Sequence, residues 1–493
     1  MPIADLAAPR RSGERLIHPP IVAAGEMARA NRQIIDGADY DLQGRQLDRL
    51  AAEAREQLVT AALRYTRSYR DVHAPTTAGP SLFLAGHQPE IFHPGVWLKN
   101  FVLERLAREN GGVAVNLVID SDTIKSSSLR VPGGSIAEPT AEVVLFDRPS
   151  AEIPFQARQI EDMPLFESFG RRVVERIAPL VAEPMVRDYW PLAVDCARRT
   201  RNLGECLAQS RHQWEGVWGG STLEIPQSGV CNLPAFLWLS AHLLAHLPRF
   251  WEIYNSALAC YRRRFHVRSH AHPVPELEAA DEWLEAPFWI WTDENPRRRR
   301  LFAQQRGDEI RLSDHEQLEL SLTLSPESEA DRAVEQLAAL GKRGIHLRSR
   351  ALLTTLAARL VFGDLFIHGI GGAKYDRLTD SIIERFFGIE PPQFMVMSGT
   401  LHLPVERPTV SEDDLRGAER ELRELTFHPE RFIDESRLNG AAAGDSSPLK
   451  WIEEKRRRIH ESVAPSEARE RCRAIRHAND ALQPWVAERR SAA

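Results

Sequence analysis

The sequence predicts an α/β protein built on a parallel sheet, and two stretches carry the prediction. In residues 81–122, two short apolar runs flank an amphipathic segment with helical spacing, which is the pattern of two strands joined by a helix. The same alternation of strands and helices returns at about residue 334 and continues to residue 404. Such alternation favours a parallel sheet, whose ligands bind outside the carboxyl ends of the strands.

The bulk composition excludes several classes of protein. Of the 493 residues, 43% are hydrophobic and 27% are charged, as in folded globular proteins. The formal net charge of -6 gives no general attraction to nucleic acid or anionic lipid, so neither is an expected partner. The most apolar segment, residues 233–247, is too short to span a bilayer, and the N-terminus lacks the pattern of a secretory signal. The five cysteines form no CxxC pair. We therefore expect a cytoplasmic protein that acts on a small molecule, and we assign no metal ligands.

Along the chain, changes in pattern divide the sequence into five regions. These are an N-terminal arm and helix (1–80), the first half of the α/β core (81–135), a mostly helical insertion with a β-hairpin (136–333), the second half of the core (334–404) and a C-terminal helical arm (405–493). Residues 1–30 are expected to lie on the surface as an arm, and apolar residues at helical spacing predict a helix at 47–69. The Ser- and Gly-rich segment 123–139 is expected to form a loop before a strand at 143–146.

The later regions follow from the same kinds of signal. The insertion should be helical over most of residues 157–268, with helices at 165–181, 186–207 and 233–264, and a hairpin should join strands at 288–291 and 300–303. A third strand at 310–312 would extend that hairpin. The second half of the core should contain strands at 344–348, 365–367 and 394–397, and a glycine-rich loop at 368–375 before a helix at 376–387. Charged helices at 412–425, 450–463 and 466–485 would form an antiparallel pair suited to dimerisation.

The first candidate site is the loop after the first core strand, which reads GHQPEIFHPG. It contains Gly86, His87, Gln88, His93 and Gly95. Glycine permits close backbone approach, and the free N–H groups of the following helix attract negative charge, so the loop suits an anionic or nucleotide-like ligand. The next strand ends at Asp120-Ser121-Asp122, where two carboxylates can hold a ribose, orient an amine or bind Mg²⁺. Both groups can also serve only as turn and cap residues.

The second candidate site is the glycine-rich stretch 368–375. A strand followed by Gly369, Gly371 and Gly372 and then a helix is a geometry that binds phosphate or carboxylate, although it matches neither the Walker A nor the GxGxxG fingerprint. Lys374 would add a positive charge, and Tyr375 a hydroxyl group or a stacking face. Ser398, at the end of the following strand, completes the predicted set.

Taken together, the two loops resemble bacillithiol synthase, the family credited with adding cysteine to glucosaminyl malate. The similarity lies in GHQPEIFHPG with the strand end NLVIDSD, against the family's GQQ-x-x-x-F-x-G-P segment and its carboxylate-rich strand end. It extends to FIHGIGGAKYDRL, against FI-x-G-P-G-E-x-x-Y, where Gly369, Gly371 and Tyr375 occupy matching positions. The sequence differs from the family at His87, His93 and Gly372, so these residues bear on specificity as much as on mechanism.

This resemblance implies a Rossmann-like, nucleotidyltransferase-type core with a coiled-coil arm that mediates homodimers. It implies a ligase or transferase that joins cysteine or a similar amino acid to an amine of a small substrate, with a sugar derivative as one candidate. The cofactor stays open, with ATP and Mg²⁺ as the candidates. The candidates for acid–base catalysis and amine binding are His87, His93, Asp120 and Asp122. The candidates for binding substrate or nucleotide are Gly86, Gln88, Gly95, Gly369, Gly371, Gly372, Lys374, Tyr375 and Ser398.

Two other interpretations stay open at the level of sequence. One is a noncatalytic nucleotide- or metabolite-binding protein that keeps the pocket and uses the helical arm for assembly. The other is a class I nucleotidyltransferase-like enzyme, because His93-Pro94-Gly95 resembles the HxGH signature, with Val96 at the second histidine position. The first loop is also similar to the HQP-x-x-F-x-PG-x-W-x-K pattern of the WbqC-like family, which is linked to aminoacylation of O-antigen sugars.

Overall fold

The computed structural model describes residues 6–74, 79–136, 138–269, 271, 274–405, 410–434, 447–462 and 467–492. The chain forms two compact units, Met1–Val405 and Glu406–Ala493. The strands, all in the first unit, are β1 (Arg15–His18), β2 (Leu82–His87), β3 (Val113–Val118), β4 (Ser128–Gly134), β5 (Pro139–Leu145), β6 (Leu223–Pro226), β7 (Ala279–Ala280), β8 (Trp283–Thr292), β9 (Arg299–Arg306), β10 (Glu309–Ser313), β11 (Glu319–Thr323), β12 (Ile345–Ser349), β13 (Leu365–His368) and β14 (Phe394–Gly399).

The α-helices of the first unit connect and cover these strands. They are α1 (Ala24–Asp36), α2 (Leu47–Arg67), α3 (Pro94–Glu109), α4 (Met163–Ile177), α5 (Val186–Thr200), α6 (Leu203–Val217), α7 (Gln227–Val230), α8 (Pro234–Ala245), α9 (Leu247–Arg264), α10 (Asp331–Leu340), α11 (Ala351–Ala357) and α12 (Ile370–Ile382). Both α11 and α12 continue into a π-helical turn, to Phe362 and Phe387 respectively. The predicted α/β class with a parallel sheet is confirmed.

The main sheet has the strand order β6-β3-β2-β13-β14-β1. Its first five strands are parallel, and β1 pairs antiparallel with β14 at the edge. The chain builds outward from β2 through β3 to β6, and then returns to the other side of β2 to add β13 and β14. The direction of winding therefore reverses between β2 and β13, and this reversal opens a crevice at their carboxyl ends.

Both faces of the main sheet are covered, which explains why its strands are nearly continuous apolar runs. Alternate side chains of β2 face opposite sides: Leu82 and Leu84 join the core that contains α2, α8, α11 and α12, whereas Phe83 and Ala85 join the core that contains α1 and α3. Residues 1–30 were predicted to lie on the surface as an arm, and residues 1–5 lie outside the described part of the chain. Residues 6–30 instead contribute β1 and the buried start of α1, where Met27 packs into that second core.

A second, antiparallel sheet has the order β11-β10-β9-β8-β12. The predicted hairpin forms as β8 and β9, and the predicted third strand as β10. The strand predicted at 344–348 forms as β12, but it joins this antiparallel sheet rather than the parallel core. Its composition explains the difference, because Ile345 and Leu347 alternate with the polar His346 and Arg348, a pattern typical of antiparallel strands.

Strands β4, β6, β7 and β11 were also missed by the sequence prediction. The segment 123–139, predicted to be a loop, contains β4, which pairs with β5 so that Val131 and Val144 are buried together. The insertion, predicted to be helical, contains β6, the third strand of the parallel sheet. Strand β6 is only four residues long, and one of the four is the fully buried Glu224. This charged residue interrupts the apolar run by which a buried strand is recognised in a sequence.

The glycine-rich stretch is largely helical rather than a loop. Helix α12 begins at Ile370 instead of at residue 376, so Gly371, Gly372, Lys374 and Tyr375 lie in its first turns. Both glycines lie within the helix, and Gly372 packs closely against His368 at the end of β13.

The second unit is helical in its described residues, with α13 (Glu412–Phe427), α14 (Pro448–His460), α15 (Ala468–Leu482) and α16 (Ala487–Ala492). Three of these helices match the predicted ones. Ser411 and Asp414 form a reciprocal cap at the start of α13. The buried Lys455 donates a hydrogen bond to the Phe427 carbonyl oxygen (2.6 Å) and pairs with Glu430. Across both units, the described helices include none with the length and apolarity needed to cross a membrane.

Candidate functional site

A cavity of about 1000 Å³ opens at the carboxyl ends of β2 and β13, where the winding of the parallel sheet reverses. Trp289, Arg298 and Arg350, from the antiparallel sheet and its loops, form part of its wall. Nearly all the residues predicted for the site line it: Gly86, His87, Gln88, His93, Gly95, Asp122, Gly369, Gly371, Gly372, Lys374, Tyr375 and Ser398. The two predicted loops, which are far apart in the sequence, thus meet in one place.

The charges that line the cavity are mostly positive. Its lining includes Lys99, Arg298, Arg350 and Lys374, against the single carboxylate of Asp122. This excess of positive charge stands out in a chain whose formal net charge is -6. A concave site lined by one sign of charge raises the local concentration of ligands of the opposite sign, so the cavity suits an anionic ligand.

The first loop is held in place by its own predicted residues. The Nδ1 atom of His93 accepts a hydrogen bond from the Gly95 N–H (3.1 Å) and caps α3. A Cβ atom at Gly95 would lie 2.5 Å from the Gly399 carbonyl oxygen, so only glycine permits the close approach of α3 to β14. The Gln88 side-chain amide donates to Asp122 (2.9 Å), which joins the ends of β2 and β3.

His87 is shielded from solvent at the end of β2. Its ring lies edge-on to Phe92, with the two centroids 4.9 Å apart, and its Nδ1 atom lies 3.1 Å from the Gln88 carbonyl oxygen. Burial, followed by the positive charge of Lys99, lowers the pKa of His87 to about 4. The imidazole is therefore neutral at physiological pH, where it can accept or donate a hydrogen bond without adding charge.

We expect the His87 ring to titrate near pH 4 in a proton NMR titration of the folded protein. The unfolded chain binds this proton near pH 6.5, whereas the folded protein binds it only near pH 4. The free energy of unfolding therefore decreases as the pH falls from about 6.5 to about 4. A His87→Gln variant identifies the resonance. Titration of that resonance near 6.5 would show that the ring is solvated and would contradict the assignment.

The two predicted carboxylates have different roles. Asp120 is buried and does not line the cavity; its oxygens accept hydrogen bonds from the backbone N–H and hydroxyl of Ser228, and burial raises its pKa. It therefore anchors the turn after β6. Asp122 does line the cavity and pairs with Arg298 at 3.0 Å. Of the two, Asp122 is the carboxylate placed to contact a ligand.

The start of α12 provides the second half of the cavity wall. Gly369 is its N-cap and offers no side-chain cap, so the first N–H groups of the helix are free to bind an anion. A Cβ atom at Gly369 or Gly371 would meet nothing within 4 Å, whereas at Gly372 it would lie 2.7 Å from His368 Nδ1. Folding therefore requires glycine at position 372, while the neighbouring glycines keep space open beside the cavity.

Two side chains of α12 extend this wall. Lys374 is exposed, and Tyr375 is partly buried, with burial raising its pKa to about 12, so its hydroxyl stays protonated. Beneath them, His368 Nε2 lies 2.9 Å from the buried Asp376, which also pairs with Arg359 at 2.7 Å. This pairing ties α12 to β13 and fixes the position of the helix start.

Lys99, Trp289, Arg298 and Arg350 are among the residues of the cavity wall that the sequence prediction missed. Lys99 lies on α3 at the spacing of Val96, Leu103 and Leu106, so a lysine within an apolar stripe was the available signal. The other three come from the antiparallel sheet and its loops: the guanidinium groups of Arg298 and Arg350 both lie over the Trp289 ring, 4.9 and 4.7 Å from its centroid. No local pattern identifies them, because a run of arginines is usually a solvated face.

Outside the cavity, the buried residues His212, Glu215 and Glu224 have the spacing of a metal site. Their charges are already compensated, because Arg211 pairs with both carboxylates. Both ring nitrogens of His212 also have partners, the Tyr69 hydroxyl (2.7 Å) and the Thr222 carbonyl oxygen (2.8 Å). This donor set is a structural network rather than a metal centre.

Comparison of the chain with protein-family models and with curated proteins finds no match.

Proposed function

We propose that the protein is a carbon–nitrogen-bond-forming ligase or aminoacyl transferase, which joins cysteine or a similar amino acid to an amine of a small substrate. The observation that carries this proposal is the meeting of two distant loops at one net-positive cavity. The resemblance of these same loops to the bacillithiol synthase family supports it. The order of the parallel strands, which winds outward from β2 in both directions, supports the proposed Rossmann-like, nucleotidyltransferase-type core.

In the proposed reaction, the start of α12 binds the carboxylate or phosphate end of the acid substrate. The N–H groups after Gly369 donate to its oxygens, and Lys374 adds positive charge nearby. In this proposal the amine lies toward the β2 and β3 ends, where Asp122 accepts its proton before attack on the acyl carbon and the neutral His87 orients it by a hydrogen bond. Joining an acid and an amine forms one C–N bond and releases one water, or the group that activated the acid.

ATP is the proposed activating cofactor, and the open space beside Gly369 and Gly371 fits the close approach of a phosphate to a helix start. When bound, ATP supplies the leaving group that makes the acid reactive. The proposed homodimer, with the helices of the second unit as its coiled-coil interface, is a separate proposal that sedimentation of the purified protein can test.

The test of the proposed function is Gly371→Ala, a change that adds a single methyl group to the cavity wall. We expect it to reduce condensation of amino acids with small amines at least tenfold, about 1.4 kcal/mol of lost binding. The protein should not lose stability, because alanine in a helix is favoured over glycine by up to about 1 kcal/mol. Product is measured by mass spectrometry, with and without ATP, as a mass equal to both substrates minus one water.

Gly417→Ala is the matched control, because Gly417 lies in α13 and a Cβ atom there also meets nothing within 4 Å. It should gain similar stability and leave the reaction unchanged. Equal activity in both variants would contradict the assignment of the α12 start. Binding of ATP or cysteine by calorimetry without any product would instead identify a noncatalytic binding protein.

A further inference from the structure

Lys99 is a buried cation that no acidic group compensates in the described part of the chain. Its side chain is 4% exposed and lines the cavity from α3. The Nζ atom donates one hydrogen bond, to the Gly86 carbonyl oxygen at 3.1 Å, and no carboxylate among the described residues pairs with it. A lysine ammonium group has three N–H donors, so two of them are left to a group that enters the cavity.

Two other buried cations of this protein have carboxylate partners. Lys455, which is as deeply buried, pairs with Glu430 at 2.6 Å. Arg350, in the same cavity wall as Lys99, pairs with Glu285. Buried charges are normally paired because removing an ion from water costs several kcal/mol per ion. An unpaired lysine at a cavity is therefore a functional feature unless folding alone explains it, and Lys99 contributes a single hydrogen bond to folding.

We propose that Lys99 binds an anionic oxygen of the substrate and selects acidic ligands for this cavity. The inference rests on the proposed function, since it takes the cavity as the substrate site, and it adds a binding residue from α3, the helix after the first loop. The bound group has the chemistry shared by a carboxylate and a phosphate: negative oxygens that accept the two free N–H donors of Lys99.

Two properties of the neighbourhood support this assignment. Burial alone lowers the pKa of Lys99 to about 8, so the group is still mostly charged at neutral pH. The nearby His87 is neutral under the same conditions, and the charge of Lys99 is one cause of its lowered pKa. Of these two groups only Lys99 is charged at neutral pH, and an acidic ligand would neutralise its charge.

The experiment compares Lys99→Met with Lys342→Met, which removes an exposed lysine that does not line the cavity. The probes are inorganic phosphate, succinate and, as a neutral control, glucose, each measured by calorimetry. We expect the unmodified protein to bind phosphate or succinate but not glucose. Lys99→Met should weaken that binding at least tenfold and raise the urea midpoint of unfolding at pH 7, while Lys342→Met should change neither.

The identity of the anion that binds distinguishes a phosphate-bearing from a carboxylate-bearing substrate. Binding within twofold of the unmodified value in Lys99→Met would overturn the role of Lys99 and leave the proposed function standing. Failure of the unmodified protein to bind either anion would overturn both.

A second measurement needs no variant at the cavity. The NMR titration of the Lys99 side chain, recorded in the unmodified protein, should move upward when the anion that binds is added. An unchanged titration in its presence would overturn the proposal. In Lys99→Met, the His87 titration should also rise, because the repulsion between the two groups is lost.

Discussion

Replacing Arg211 by methionine should lower the free energy of unfolding by about 3–5 kcal/mol, because it leaves two buried carboxylates without a counter-charge. Arg211 lies on α6 and pairs with Glu215 and Glu224, all three of them buried. Burial alone would lower the pKa of Arg211, but the two carboxylates outweigh it and hold that pKa above its usual value. Urea denaturation at pH 7 measures the effect.

Two further variants separate lost charge compensation from lost packing. Arg171 pairs with Glu175 on the exposed surface of α4, so Arg171→Met should cost less than about 1 kcal/mol. Adding Glu215→Gln and Glu224→Gln to the Arg211 variant removes the stranded charges and should recover most of the loss. If the triple variant is no more stable than Arg211→Met, the loss comes from packing and the electrostatic explanation is wrong.

The network around Arg211 also supports the first loop of the cavity. Glu215 accepts hydrogen bonds from the Trp97 indole (2.6 Å) and from Asn100 (2.8 Å), both on α3. The Arg211 guanidinium lies over the Phe92 ring at 4.9 Å, and Phe92 in turn contacts His87. A stability defect at Arg211 should therefore be accompanied by weaker ligand binding, although Arg211 does not line the cavity.

Replacing Arg359 by methionine should also cost about 3–5 kcal/mol at pH 7. Arg359 pairs with the fully buried Asp376 and, through its other nitrogen, with Asp380. Burial raises the pKa of Asp376, but Arg359 and His368 outweigh it and hold the pKa well below its usual value. In the unmodified protein this pairing stabilises the fold at pH values above about 3.8, and the contribution is lost as the pH falls through the lowered pKa.

Without Arg359, burial should raise the pKa of Asp376 above its unfolded value. The folded variant then binds more protons than the unfolded chain, so the difference in unfolding free energy between the two proteins should shrink from pH 7 to pH 5. Arg377→Met is the control: it removes an exposed partner of the same Asp380 and should cost less than about 1 kcal/mol. A difference that stays constant with pH would contradict the electrostatic assignment.

The sequence predicted the parts of the fold whose signals are local. The stretch that became β2, α3 and β3 has apolar runs of ordinary length and a helix with clear periodicity, and it formed as expected. The strand β6 was missed because four residues around a buried Glu224 look like any polar segment, and the charge makes sense only once Arg211 and Asn116 are seen beside it. The sheet that β12 joins was missed because strand pairing is a long-range property.

In the candidate site, too, the features with local signals could be predicted and those that depend on long-range packing could not. Chemistry placed where a strand gives way to a helix could be predicted, since residues 88–93 join β2 to α3 and Gly369 joins β13 to α12. That Asp120 turns away to anchor Ser228 while Asp122 faces the cavity could not, because the two lie two positions apart and only the fold distinguishes them. The walls contributed by Trp289 and Arg298 come from another sheet, so their role depends on tertiary packing alone.

The pairing of β1 with β14 also sets the order in which the protein can be completed during synthesis. Arg15 pairs with Gly399, so β1, the first strand to be synthesised, cannot pair until β14, the last strand of its sheet, has been synthesised. At about 5–20 residues per second, translation from one to the other takes on the order of 20–80 s. During that time the β2 loop has left the ribosome but the α12 start has not, so a nascent chain contains half a binding site. Ligand can therefore stabilise the released chain but cannot assist its early folding, and the apolar edge of β2 stays unpaired until β13 has been synthesised.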